Sequence, residues 1–196
     1  DQKEQFFRPA LAGEKVAAFC LSEPDVGSNV WGLKTHAEKV EGGWKFNGSK
    51  MYITNAPIAD FILLAARTNS ELSASAISLF IVELPNPGFD FVSLKKEGIR
   101  ASETDLIYIE DAFVPDDCLL GGETGTYPII LESLLENRVG VAANAVGIAR
   151  AALQASLTYA QERQIGSKRV GDFQAIQHKL ADMVADIEAV KWIVYH

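Results

Sequence analysis

Chemistry-bearing side chains are scarce in this chain: two cysteines, two methionines and three histidines among 196 residues. Cys20 and Cys118 make neither a disulfide framework nor a zinc spacing. Both sit in apolar company and read as buried thiols of a reducing compartment. His36, His178 and His196 fall in an expected strand, an expected helix and the last position, none with a convincing partner, so no metal is implied. Gly-x-Ser-x-Gly is absent and no His is placed to activate Ser22, which argues against a serine nucleophile. Positive charge is short as well. The 18 Lys and Arg face 26 Asp and Glu, a net charge of −8, which argues against an electrostatic grip on nucleic acid or an anionic membrane. No apolar run approaches membrane-spanning length, and the first residues lack a signal-peptide pattern. A leader could still precede Asp1, because the chain reads as part of a longer one. No repeat of solenoid length is apparent.

What is present suits a globular protein, with 48% hydrophobic and 22% charged residues. The length allows one large domain, or one domain and part of another. Phe6, Phe7 and Leu11 give residues 1–13 the apolar side of a short helix, limited by Pro9. Residues 15–21 have strand length. Residues 33–41 and 44–47 read as two strands across Gly42-Gly43, with Trp44 and Phe46 on one face. Continuous apolar runs at 60–67 and 77–84 suit strands buried on both faces, separated by a Ser-rich polar loop over 68–78. Pro85 to Gly88 is a turn. Residues 89–94 and 102–114 supply the last strands. Such closely spaced strands predict a β-sandwich or barrel.

After Gly125 the pattern changes. Residues 126–163 are Ala-rich and carry no proline beyond Pro128, which predicts one long helix. Gly140, Gly147 and the alanines suggest close packing against other helices. Gly166 and Gly171 mark a loop, and Asp172 is placed to cap a second helix. That helix carries Phe173, Ile176, Leu180, Met183, Ile187, Val190 and Val194, alternating steps of three and four. The spacing is a heptad seam of an antiparallel bundle and calls for further helices. The fold class is therefore α+β: an antiparallel β-barrel or sandwich domain followed by long helices of an antiparallel bundle.

The chemistry is concentrated between Ala18 and Asn55, in two blocks. The first, Phe19-Cys20-Leu21-Ser22-Glu23-Pro24-Asp25-Val26-Gly27-Ser28, runs an apolar strand into a turn. Ser22 and Ser28 offer hydroxyls there, and Gly27 lets backbone approach a ligand. The second ends in Tyr52-Ile53-Thr54-Asn55. In an extended segment Tyr52 and Thr54 share a face, so the pair could stack on a flat ring with Tyr52 and bond its edge with Thr54. Polar turns of this kind are common, and the residues alone fit an ordinary sheet edge better than a ligand site.

Together the two blocks resemble the signature of the acyl-CoA dehydrogenase family, flavoenzymes that desaturate acyl thioesters. Tyr52 stands where the family usually has Trp. The resemblance covers nearly the whole chain. It implies the end of an N-terminal helical domain at 1–14, a flavin-binding β-domain at 15–125 and the first part of a C-terminal helical bundle at 126–196. It implies FAD between β-domain and bundle. The backbone at Phe19 and Leu21 and the Ser22 hydroxyl would face the flavin, and Gly27 and Ser28 would lie near its phosphates or the thioester. Tyr52, Ile53 and Thr54 would cover the other side, with Thr54 bonding near the reactive nitrogen. Arg163 matches an Arg that grips the FAD pyrophosphate of a neighbouring subunit, and Gln174 a Gln near the adenine. Between them, Gln164-Ile165-Gly166-Ser167 departs from the family's aromatic and Gly. Arg138 would organise the mouth of the site near the thioester.

The implied activity is α,β-desaturation, with a carboxylate taking the α-proton. Most members supply that base as a Glu from a later helix, expected here beyond His196. Some supply it from the start of the helix that holds Glu136-Asn137-Arg138. Asn137 aligns with that position and cannot accept a proton, which leaves Glu136, one residue earlier, as the candidate within this chain. The resemblance further implies an electron-transfer flavoprotein as partner and a homodimer or homotetramer. The location would be cytoplasmic in a bacterium or the mitochondrial matrix in a eukaryote. Two alternatives stand beside this reading: the same chemistry on an acyl or aminoacyl thioester tethered to a carrier protein, and a non-catalytic scaffold of the same fold.

Overall fold

The computed structural model describes residues 2–71 and 73–196; Asp1 and Leu72, which the sequence places in the opening helix and the Ser-rich loop, lie outside the described residues. The chain divides into two compact units, Asp1–Ile130 and Leu131–His196.

In the first unit, a π-helical turn at Lys3–Phe7 runs into α1 (Arg8–Leu11), with Pro9 in the first turn, where its missing N–H is not needed. The expected apolar side shrinks to Phe6, whose ring lies 5.2 Å from that of Phe61 and packs with Ile81. Phe7 and Leu11 are exposed. One helical step turns Phe7 onto a different face from Phe6.

Seven strands follow: β1 (Ala17–Cys20), β2 (His36–Val40), β3 (Gly43–Thr54), β4 (Phe61–Arg67), β5 (Ile77–Glu83), β6 (Phe89–Ser93) and β7 (Thr104–Pro115). They form one sheet in the order β1-β4-β2-β3-β7-β6, with β5 on the other side of β4. Most pairings are antiparallel, as expected. β1 instead runs parallel to β4, from Ala17 opposite Phe61 to Cys20 opposite Leu64, and β2 meets β4 in parallel at His36 and Arg67. Strands so far apart in the chain are not joined by a turn, so no turn signal could have disclosed this. The continuous apolar runs of β4 and β5 are buried on both faces. β2 and β3 form the expected hairpin, with Gly42 at φ +76° in its turn.

The sheet curls over on itself. β3 and β5 are not neighbours, and in a flat sheet about 14 Å would separate them. Yet the Phe80 ring of β5 meets the rings of Phe46, at 4.8 Å, and Trp44, at 5.4 Å, both edge-on. Side chains of all seven strands thereby share one core. The expected barrel-like form is one curled mixed sheet.

The second unit contains most of α2 (Tyr127–Glu162), the small hairpin of β8 (Gln164–Ile165) and β9 (Lys168–Arg169), and α3 (Gln174–Tyr195). Beyond Val139 the less exposed residues of α2 are Ala142, Val146, Ala149, Leu153, Ser156, Leu157 and Ala160, a seam of mostly small side chains with steps of three and four. The matching residues of α3 are Ile176, Leu180, Met183, Ile187, Lys191 and Val194. The expected α3 seam is thus present apart from its first residue, Phe173. Phe173 precedes the helix and is exposed, while Val190 is partly accessible and lines a cavity with Ile187 and with Ala145, Val146 and Ala149 of α2. Asp172 does not cap α3. Its Oδ2 accepts the Arg169 N–H at 2.7 Å, closing the turn at Val170–Asp172, while Phe173 holds the cap position. Among the described residues no helix is long and apolar enough to cross a membrane.

Candidate functional site

Both sequence blocks belong to the first unit, and the fold joins them end to end. β1 ends at Cys20, and the chain turns at Glu23 to Val26, whose backbone groups pair at 2.8 and 3.1 Å. Val26 tucks inward, while Pro24, Asp25, Gly27 and Ser28 stay exposed. The far end of β3 runs alongside. The Met51 N–H donates to the Ser22 carbonyl at 2.9 Å, so Ser22 and Tyr52 lie at one place although the sequence separates them.

β3 does not reach Thr54 as a plain extended strand. Its register with β7 slips between Lys50 and Ile53, and Tyr52 sits there at φ +62°, in the left-handed region that few non-glycine residues adopt. The bulge leaves Ile53 buried, with Tyr52, 66% accessible, and Thr54 exposed on either side of it. Tyr52 and Thr54 are both exposed, but the backbone between them is not the regular strand assumed. Ile53 points into the core, so only its backbone can meet a ligand. Among the described residues the hydroxyls of Ser22, Ser28 and Thr54 make no hydrogen bond within the chain. An aromatic ring beside uncommitted hydroxyls is a donor set that fits a flat heteroaromatic ligand such as a flavin.

Phe19 is half-buried in β1. Leu21 is buried and its carbonyl is already committed: the Lys50 ammonium donates to it at 3.1 Å. Of the Leu21 backbone, the carbonyl is therefore turned inward rather than toward a ligand.

Lys50 is the site residue that sequence reasoning missed. It is fully buried and pairs with the Glu23 carboxylate at 2.9 Å. Glu23 also accepts the Lys34 N–H at 2.6 Å and the Thr35 N–H at 3.0 Å. Burial opposes the Glu23 charge, but Lys50 and these donors outweigh it and hold the carboxyl below its ordinary range. For Lys50, burial acts downward and Glu23 draws it back up. The signal was a charged residue in alternation with the inward-facing Phe46 and Gly48 of a core strand. Thr35 seals the arrangement by donating to the Ser49 carbonyl at 3.2 Å. Gly48 opposite it has no room for a side chain, since a Cβ would stand 2.5 Å from the Thr35 hydroxyl.

Asp105 was missed too. It lies across from Ile53 in β7, 1% accessible, and among the described residues its Oδ2 has no hydrogen-bond partner. Burial pushes its carboxyl up, Glu103 adds to the rise and Lys96 opposes it. Cys20 is inert by contrast, its thiol pushed up to about 12 by burial against the opposing influence of Lys50.

The remaining site residues belong to the second unit. Glu136, Asn137 and Arg138 lie well inside α2 and are exposed. The chain at Glu136 is fully helical, so Glu136 and Asn137 point about 100° apart. Arg163 follows α2 and Gln174 opens α3; both are exposed, at the two ends of the connection that carries the β8–β9 hairpin. The Arg163 carbonyl accepts the Val170 N–H at 2.9 Å, which folds that connection back. Among the described residues no group of three His, Cys, Asp or Glu gathers as a metal ion would need.

Comparison with known proteins gives two consecutive family matches. Residues 18–112 match the acyl-CoA dehydrogenase middle domain, and residues 125–196 match the acyl-CoA dehydrogenase C-terminal domain. The chain is 40% identical over 197 aligned residues to benzylmalonyl-CoA dehydrogenase of Aromatoleum aromaticum, covering all of this chain and 52% of that protein. It superposes on the structure of butyryl-CoA dehydrogenase from Megasphaera elsdenii with a TM-score of 0.93 and 39% identity, over 99% of this chain and 51% of that one. The FAD complex of PigA matches with a TM-score of 0.92 and 30% identity, over 98% and 51%. The chain spans about half the length of the relatives it matches.

Proposed function

Because the chain belongs to the acyl-CoA dehydrogenase family, we propose that it forms the flavin-bearing middle of an FAD-dependent enzyme that desaturates an acyl-CoA thioester. The observation that carries this reading is the junction of the two blocks through the Met51–Ser22 hydrogen bond, with Tyr52 and the Thr54 hydroxyl left facing outward. FAD, when bound, supplies the acceptance of the β-hydrogen as a hydride.

The residues of this chain do the holding. Tyr52 offers its ring to a flavin face. The Ser22 and Thr54 hydroxyls offer donors where the ring system gains negative charge, and donors fixed in advance stabilise that charge without reorganising. Gly27 and Ser28 suit phosphate or thioester oxygens. Arg163 and Gln174 suit the pyrophosphate and adenine of FAD from a neighbouring subunit, and Arg138 the mouth of the site. The α-proton is taken by a carboxylate outside residues 1–196. The names of relatives such as benzylmalonyl-CoA and butyryl-CoA dehydrogenase support CoA, rather than a carrier protein, as the thioester handle. The resemblance supports an electron-transfer flavoprotein as acceptor and a homodimer or homotetramer as the assembly.

The test is an absorption spectrum of the purified protein at its full natural length, followed by anaerobic mixing with acyl-CoA and acyl-carrier thioesters. A bound flavin bleached by an acyl-CoA is expected. Bleaching by the carrier-bound thioester alone would move the substrate to a carrier protein. A colourless protein that takes up no FAD would leave only the scaffold.

A further inference from the structure

Burying an ion pair seldom adds stability, because desolvating both charges cancels most of their attraction; an apolar pair of equal volume does as well or better. Glu23 and Lys50 nevertheless form such a pair in the core of the first unit. Their positions are specific. Glu23 directly follows Ser22, and Lys50 stands two residues before Tyr52. The ammonium bridges the blocks twice over, to the Glu23 carboxylate at 2.9 Å and to the Leu21 carbonyl at 3.1 Å. Glu23 in turn pins the following segment through the N–H groups of Lys34 and Thr35. The Met51–Ser22 backbone bond lies directly beside these ties.

We propose that the buried Glu23–Lys50 pair is a positioning couple for the flavin, locking Leu21-Ser22 against Tyr52-Ile53-Thr54 so that both blocks present one fixed wall. The proposal rests on the flavin reading of the two blocks. Neither side chain touches the ligand. Both act through the backbone of Ser22 and the bulge at Tyr52. An apolar pair would fill the same space but has no donor for the Leu21 carbonyl, which leaves the Met51–Ser22 backbone bond to hold the two segments without it.

The experiment separates packing from positioning in the protein at its full natural length. Thermal melting of the apoprotein, FAD affinity and the visible spectrum of the bound flavin are compared for wild type, Lys50→Met and the double variant Glu23→Gln with Lys50→Met. Lys50→Met leaves Glu23 without its counter-charge and is expected to melt early. The double variant removes both charges and is expected to recover much of the melting temperature. Its FAD affinity should stay about tenfold or more below wild type, with a shifted flavin spectrum, because the charged donor to Leu21 is still missing. A double variant with wild-type affinity and spectrum overturns the proposal. If Lys50→Met does not fold, the double variant decides. Glu23→Gln alone keeps the Leu21 tie and should bind FAD with intermediate affinity; unchanged affinity there also overturns the proposal. A wild-type protein that takes up no FAD removes the functional reading itself, whereas wild-type uptake with unaffected variants removes only the positioning role.

Discussion

Met51 donates its backbone N–H to the carbonyl of Ser22 at 2.9 Å, and this one bond makes a single site of two stretches that the sequence keeps apart. The bond lies between the end of β1 and the bulged end of β3. It sets the start of the turn at Ser22 beside the bulged end of β3, where the Tyr52 ring and the Thr54 hydroxyl are exposed.

Thr54→Val tests the hydroxyl with little change of shape. Thr54 is exposed, so the fold should tolerate the change. Losing one neutral hydrogen bond is worth about 1 kcal/mol, so FAD affinity should fall about fivefold and reduction by substrate should slow. Equilibrium binding and stopped-flow reduction read both. Unchanged values would take Thr54 out of the site.

Tyr52 is held at φ +62°, where a β-branched side chain fits badly. Tyr52→Ile should therefore destabilise the apoprotein by about 1–3 kcal/mol. Tyr52→Gly removes the strain but gives the unfolded chain more freedom, so its melting temperature should stay near wild type. Both lose the ring and should bind FAD more weakly. Equal melting of the Ile and Gly variants would mean that the backbone there relaxes freely.

Asp105 gives a pH dependence. Burial raises its folded-state carboxyl above the ordinary 3.8. Between 3.8 and the raised value the native state binds more protons than the unfolded one, so this group's contribution is full at low pH and is lost as pH rises through that window. Asp105→Asn stays neutral throughout. Melting curves from pH 3 to 8 should show the variant gaining on wild type as pH rises. A wild type that gains instead would reveal a counter-charge holding Asp105 ionised.

Much of this architecture was legible in the sequence, for identifiable reasons. β4 and β5 announced themselves because strands buried on both faces need continuous apolar runs. The long α2 did so because nothing between Pro128 and Arg163 breaks a helix. The site was half legible. Ser22, Tyr52 and Thr54 stood out by residue type and spacing, but their meeting depends on the parallel β1–β4 pairing and the bulge at Tyr52, which no local pattern encodes. Lys50 and Asp105 were passed over because a charged residue in a strand is ordinarily solvated. The groups that enclose Lys50, the Leu21 carbonyl and the Glu23 carboxylate, lie far from it in the sequence. Phe173 failed the seam because it lies outside the helix.

The α3 seam can be tested at Leu180, half-buried on the same face as Ile176 and Met183. Leu180→Asp puts a charge without a partner in that face and should cost about 2 kcal/mol or more, enough to prevent stable folding or assembly. Size-exclusion chromatography and circular dichroism read the result. A soluble oligomer of normal size and helicity would show that the seam faces water in the whole protein.

The last prediction concerns the base. Removing an α-proton needs a carboxylate near the reacting carbon, sheltered enough to hold a raised affinity for the proton. Glu136 is exposed, and the helix is continuous through it from Tyr127. Its side chain therefore leaves α2 about 100° from that of Asn137, the position the resemblance aligns with an alternative base. A non-helical start could have let Glu136 stand in for its neighbour, but the observed helix removes that freedom. Glu136→Gln in the protein at its full natural length should accordingly bleach its flavin with substrate at close to the wild-type rate, with FAD content unchanged. Asn137→Glu should not raise the rate while the native base is present. In a variant lacking that base, it should restore measurable bleaching if the aligned position faces the substrate. A fall of several orders of magnitude in Glu136→Gln, with FAD still bound, would assign the base to Glu136 and show that α2 opens at its start when substrate binds.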